Sequence, residues 1–100
     1  MSTSKEFARS AITKLQQTPF AITPRPMMGE YLLYADGVLF GGLYDNRLLI
    51  KKTETNAEFV LPEALPYEGA KKTMYRIEDL EDTKKLAEIV KATLEGLKKQ

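Results

Sequence analysis

At 100 residues, with 43% hydrophobic and 29% charged positions, the chain has room for one folded domain and lies far from the composition of disordered proteins. Its 15 basic and 14 acidic residues are interleaved and leave a net charge of +1, which argues against direct nucleic-acid binding through a basic face. Cysteine and histidine are both absent, which excludes disulfides, Cys/His zinc sites, cysteine nucleophiles and a Ser-His-Asp triad.

No apolar run approaches the roughly 18–20 residues of a membrane-spanning helix. The N-terminus, MSTSKEFARS, has no apolar leader and no small-residue cleavage site. The expectation is a cytoplasmic protein without membrane contact.

The first segment reads as a helix. Thr3 and Glu6 form a capping-box pattern, and Phe7, Ala8, Ala11, Ile12 and Leu15 share one face before Pro19 stops the run near Gln17. TPFAITPRP, with three prolines, predicts an extended, edge-like approach to a sheet. Met27 to Ala35 reads as a strand, Asp36-Gly37 as a two-residue hairpin turn and Val38 to Leu43 as a second strand. Asp45-Asn46 is a second turn and Arg47 to Lys51 a third strand.

YLLYA and RLLIK carry apolar groups on both faces, so the sheet is expected to be covered twice, by helices on one side and by a second copy of the chain on the other. A short helix is expected over Glu54 to Val60, stopped by Pro62, then a loop at Pro66 and Gly69 and a strand from Thr73 to Ile77. Leu86, Ile89, Val90, Leu94 and Leu97 form the stripe of a closing helix, Asp82 to Leu97, capped by Asp79 or Asp82 and ending in lysines. The order helix, three strands, short helix, strand, helix defines an α+β fold with helices on one face of an antiparallel sheet.

Few residues suit catalysis. Serines occur only at positions 2, 4 and 10, with no imidazole to activate them, and no phosphate-cradling glycine motif is present. The chain reads as a non-enzyme without cofactor or metal. Glu30, an acid in an apolar strand, reads most simply as solvated or paired with Arg25 or Arg47. Asp36, Asp45 and Asn46 read as turn residues and the acidic run Glu78 to Asp82 as a helix start.

Gly29, Gly41 and Gly42 suggest a bulge, a bend or a close crossing; the alternative is backbone left open to a ligand. Lys71, Lys72 and Arg76 beside Tyr75 resemble a stacking-and-phosphate surface, weakened by Glu68, Glu78 and Asp79 nearby. Met27 and Met28, with Tyr31 and Tyr34, suit either core packing or an adaptable partner surface.

The segment RPMMGEYLLYADGVLFGGLYDNRLLIKKTETN resembles the hallmark of the TfoX/Sxy N-terminal domain. The matching positions are Arg25, Met27, Met28, Gly29, Glu30, Tyr31, Tyr34, Asp36-Gly37, Phe40-Gly41, Asp45 to Leu48, and Lys51. GAKKTMYRIEDLEDTKKLAEIV resembles the family's later strand, acidic link and closing helix, with Lys72-Thr73 where a proline is common. The likeness runs from about residue 5 to 97.

The resemblance implies a secretion-chaperone-like α+β domain spanning 1–100, with a sheet of about five strands in the order α-β-β-β-α-β(-β)-α. It also implies a regulatory role: larger members govern competence and DNA uptake with the cyclic-AMP receptor protein. They carry a helical C-terminal domain that this chain is expected to lack. The expected function is a small regulatory, protein-interaction module contacting the transcription machinery, with homodimerisation an additional expectation. Its candidate surface is Arg25, Met27, Met28, Glu30 and Tyr31. The alternative is a small-molecule-binding domain with its ligand near Gly29, Glu30, Gly41 and Gly42.

Overall fold

The computed structural model describes residues 2–99. It runs α1 (Lys5–Gln16), β1 (Ile22–Met27), β2 (Glu30–Ala35), β3 (Val38–Leu43), β4 (Leu48–Ile50), a 3-10 turn (Ala57–Phe59), β5 (Glu63–Ala64), β6 (Met74–Ile77) and α2 (Thr83–Lys98). The strands form one antiparallel sheet in the order β1-β2-β3-β4-β6-β5. The fold is α+β, with both helices packed against one face of the sheet through a common core.

Ser4, not Thr3, caps α1: its hydroxyl oxygen accepts the Phe7 N–H at 3.1 Å. Ala8, Ala11 and Leu15 are then buried at the predicted helical spacing. Asp82 caps α2 by accepting the Lys85 N–H at 3.0 Å, and Leu86, Ile89, Val90 and Leu94 enter the core.

Cross-strand partners share a face, and alternate residues of a strand point to opposite faces. The row Tyr31, Leu43, Leu48, Ile77 and the row Leu33, Gly41, Ile50, Tyr75 therefore face the helices. Leu32, Gly42, Leu49 and Arg76 form a row on the other side. The core cluster matches this division, since it contains Leu33, Leu43, Leu48, Ile50 and Ile77 but not Leu49. Phe40 is the extra residue of a bulge in β3, between the pairs Leu33–Gly41 and Tyr34–Leu39, and it too joins the core.

Several sequence expectations need correction. The sheet has six strands where about five were expected. The proline-rich stretch approaches the sheet extended and at its edge, as expected, and goes further in being a full strand, β1, whose prolines are tolerated because it pairs only with β2. The expected strand Met27 to Ala35 is broken: Met28-Gly29 is a hairpin turn, with φ of 49° and 84°. Both residues lie in the left-handed region, the backbone of a type I′ turn, but the usual Asn-Gly or Asp-Gly signature is absent. Instead of a helix over 54–60, the chain makes turns at 54–56 and a single 3-10 turn. The two-residue β5 falls in a stretch expected to be irregular.

Candidate functional site

Three segments meet at one end of the sheet. The Thr3 N–H donates to the Gly29 carbonyl at 3.0 Å, and the Thr3 hydroxyl donates to Glu30 Oε1 at 2.8 Å. The Glu30 carboxylate also accepts the Asp45 N–H, 3.1 Å from Oε2. Asn46 closes the ring: its N–H donates to Thr3 Oγ1 at 3.2 Å, and its Oδ1 accepts the Ser4 N–H at 2.9 Å.

Glu30 thus ties the N-terminal segment to the β3–β4 turn and is partnered by neither Arg25 nor Arg47. The ring draws Thr3 away from its expected capping role. Asp45 and Asn46 form the predicted second turn, with φ of 51° and 58° and paired hydrogen bonds between Tyr44 and Arg47.

This clamp fixes the β1–β2 hairpin, whose tip carries two methionines on the surface. Met28 is 98% exposed and Met27 40% exposed. An apolar side chain so fully in water is unusual, and a left-handed methionine costs about 1–2 kcal/mol relative to helical or extended backbone. The other candidate residues separate. Arg25 is exposed on the face turned from the helices, in register with Leu32. Tyr31 is half-buried against the core on the opposite face. Met27, Met28 and Arg25 thus remain solvent-facing, whereas Glu30 and Tyr31 support the end of the sheet.

The glycines are occupied by the chain itself. A Cβ at Gly29 would lie 3.1 Å from the Ser2 side chain. One at Gly42 would lie 2.7 Å from the ring of Tyr44, so the missing side chain makes room for that ring over the sheet. Tyr44 is 8% exposed. Burial, then the nearby Tyr67 and Glu30, push its phenol above the usual pKa of 10.0.

Beside Tyr44 opens a wide trough of about 1070 Å³. Leu32, Leu39 and Met74 line it, with Pro66, Tyr67 and Ala70 of the β5–β6 loop and the lysines 51, 52, 71 and 72. Arg47 anchors the loop by donating to the Pro66 carbonyl at 3.3 Å. Lys52 is engaged: Nζ lies 2.7 Å from Glu63, 2.8 Å from the Thr73 hydroxyl and 5.9 Å from the Tyr75 ring centroid. The Lys52 hydrogen bond, then one donated by the Thr73 hydroxyl, then the Lys52 charge hold the Glu63 carboxyl below its ordinary range.

The sequence sets Lys71 and Lys72 close to Tyr75 and Arg76. The structure instead joins them to Lys51 and Tyr67 along the trough. Tyr44 is not singled out by the sequence, and Lys51 enters there only as a position of the family hallmark. The cue for Tyr44 was Gly41-Gly42 followed closely by an aromatic residue, the arrangement in which a ring covers a glycine in a sheet.

Lys51 is placed by a buried polar network. Asn56, fully buried, donates through Nδ2 to the Lys51 carbonyl at 2.8 Å and to Thr93 Oγ1 at 2.9 Å. Its Oδ1 accepts the Thr53 N–H at 2.9 Å. The loop sits tightly on α2, where a Cβ at Gly96 would run into Thr53 and Thr55.

Among the described residues, no group of three or more carboxylates is arranged to hold a metal, and no helix is long and apolar enough to cross a membrane.

Fold and surface together define a small α+β domain, helix-backed on one face of its sheet, with an apolar hairpin tip and a cationic trough left open. The family model of the TfoX N-terminal domain matches residues 14–97, and the chain belongs to that family. An uncharacterized 12.7 kDa protein in the trpE 5′ region of Spirochaeta aurantia is 34% identical over 73 residues. That match covers 71% of this chain and 64% of the relative. No solved structure matches the chain significantly.

Proposed function

We propose that this TfoX-like domain is a non-enzymatic regulatory module that works in the cytoplasm by protein contact, with the Met27–Met28 hairpin tip as its principal contact. The observation that carries the reading is Met28, 98% exposed at a φ of 49°. Asn-Gly would suit this turn better on both counts, being polar and tolerant of left-handed backbone. An unfavourable backbone and an unfavourable solvent exposure at one rigidly supported position point to a side chain retained for what it touches. Methionine adapts its shape to a partner surface.

The absence of histidine and cysteine from the sequence supports the non-enzymatic reading. Resemblance to the competence regulators makes the transcription machinery the class of partner to test. Self-association is a weaker companion reading, supported by half-buried Leu32, Tyr34 and Leu39 on the face away from the helices.

The test is affinity capture from a lysate of the source organism with the wild-type protein and Met28→Asn, which keeps the turn and removes the apolar tip. Enrichment of a transcription factor or RNA polymerase, at least tenfold reduced in the variant, is the expected result. Identical capture by both proteins would sink the tip as the contact.

A further inference from the structure

The trough beside Tyr44 has a charge pattern that the chain as a whole lacks. The protein is nearly neutral, with 15 basic and 14 acidic residues, yet four lysines and no carboxylate line this concavity. Lys52 is neutralised by Glu63 at 2.7 Å. Lys51, Lys71 and Lys72 form no ion pair and no side-chain hydrogen bond among the described residues. Glu68 lies on the same loop but does not line the trough.

Beneath the lysines the surface is apolar and aromatic, with Leu32, Leu39 and Met74 next to Tyr44 and Tyr67. Tyr67 is 62% exposed although it stands beside an apolar wall. A ligand that fits therefore alternates negative charge with apolar or aromatic bulk.

We propose that the trough binds an extended acidic peptide segment of a partner protein, its carboxylates facing Lys51, Lys71 and Lys72 and its apolar side chains lying against Tyr67 and the sheet. The shape favours a peptide over a small molecule. At about 1070 Å³ the trough is as large as most enclosed ligand pockets, but it is open to solvent, so a compact ligand would stay partly exposed in it. An open channel with a cationic rim is suited to a chain running through it, as in recognition of acidic motifs by basic clusters.

Strand addition is a poor alternative mode. The β1 edge carries Pro24 and Pro26, which offer no N–H, and β5 is only two residues long. Recognition falls instead to side chains, and exposed lysines contribute encounter rate and selectivity for charge more than raw affinity. The inference rests on the reading of the domain as a protein-interaction module and adds a second contact with its own partner chemistry.

The test is fluorescence anisotropy of a labelled peptide in which Asp and Glu alternate with Leu and Phe, beside a counterpart with Lys at every acidic position. The expected result is saturable binding of the acidic peptide only. It should weaken about tenfold in a Lys71→Glu/Lys72→Glu variant and with added salt, on the scale of a few exposed ion pairs reversed in sign. Tyr67→Ser should weaken it severalfold, and a thermal melt confirms that each variant is folded.

No saturable binding would overturn the proposal, as would equal binding of the basic peptide or indifference to the charge reversal. So would displacement-proof binding of octyl phosphate at the same lysines without peptide binding, which would assign the trough to a small anionic amphiphile. Met28→Asn separates the two surfaces. Capture lost through that variant without peptide binding leaves the tip reading standing and the trough refuted, and peptide binding with no capture through the tip does the reverse.

Discussion

Replacing Asn56 by alanine tests whether the loop carrying Lys51 is held by its buried amide. Asn56 is 0% exposed and Thr53 is 7% exposed, so water is not at hand to replace lost bonds. The substitution takes the acceptor from the Thr53 N–H and the donors from the Lys51 carbonyl and from Thr93 Oγ1. Thr93 is the least affected, because its hydroxyl still donates to the Ile89 carbonyl at 2.8 Å. Two backbone groups are left unpaired at roughly 1–3 kcal/mol each.

The expected loss is about 3 kcal/mol, or about 15 °C in melting temperature for a domain of this size. Urea unfolding followed by circular dichroism, with the thermal melt beside it, measures both. Asn56→Asp should be no better at neutral pH, since it sets a carboxylate oxygen against the Lys51 carbonyl. It should recover partly in acid, where the protonated carboxyl can donate: this group's folded pKa is raised, so its penalty grows as pH rises. A loss below about 1 kcal/mol for Asn56→Ala would refute the reasoning, because it would mean that the freed groups find other partners.

Three further outcomes follow from the same structure. Met28→Asn should raise stability by about 0.5–1 kcal/mol in chemical denaturation, because asparagine accepts the left-handed turn backbone at less cost. Gly42→Ala should cost about 2–3 kcal/mol, since the new Cβ would stand 2.6 Å from the Tyr31 carbonyl oxygen and 2.7 Å from the Tyr44 ring, and a backbone oxygen cannot step aside. In an ultraviolet phenolate titration of the folded protein, Tyr44 should ionise above 10.0, and Tyr44→Phe should delete that late step. The folded state binds this proton more tightly, so the associated stability is present below the unfolded pKa and lost as pH rises through the folded one.

The parts of the fold legible in the sequence were those fixed by local chemistry. Asp36-Gly37 announced its turn, the apolar run from Val38 to Leu43 is β3 at the predicted bounds, and the leucine-isoleucine stripe with Asp82 before it is α2 to within one residue at each end. Met28-Gly29 escaped because methionine seldom occupies the first position of such a turn, so the tip read as strand. Thr3 looked like a cap because three-residue spacing to Glu6 is a local signal. The contacts that claim it come from Glu30 and Asn46, 27 and 43 residues away.

The trough was the least legible feature. Lys51 and Lys71 are brought together only by the pairing of β4 with β6, and Tyr67 only by the anchoring of its loop on Arg47. Met27 and Met28 were visible as a candidate surface. Whether they pack or project depended on a turn that the local pattern did not reveal.

The central claim, that the hairpin tip is a protein contact, is tested most directly by a photoreactive amino acid placed at position 28 and irradiated in cells, with the same residue at exposed position 95 on α2 as control. The account predicts a discrete crosslinked partner from position 28 that position 95 does not yield. The same adducts from both positions, or none from position 28, would contradict it.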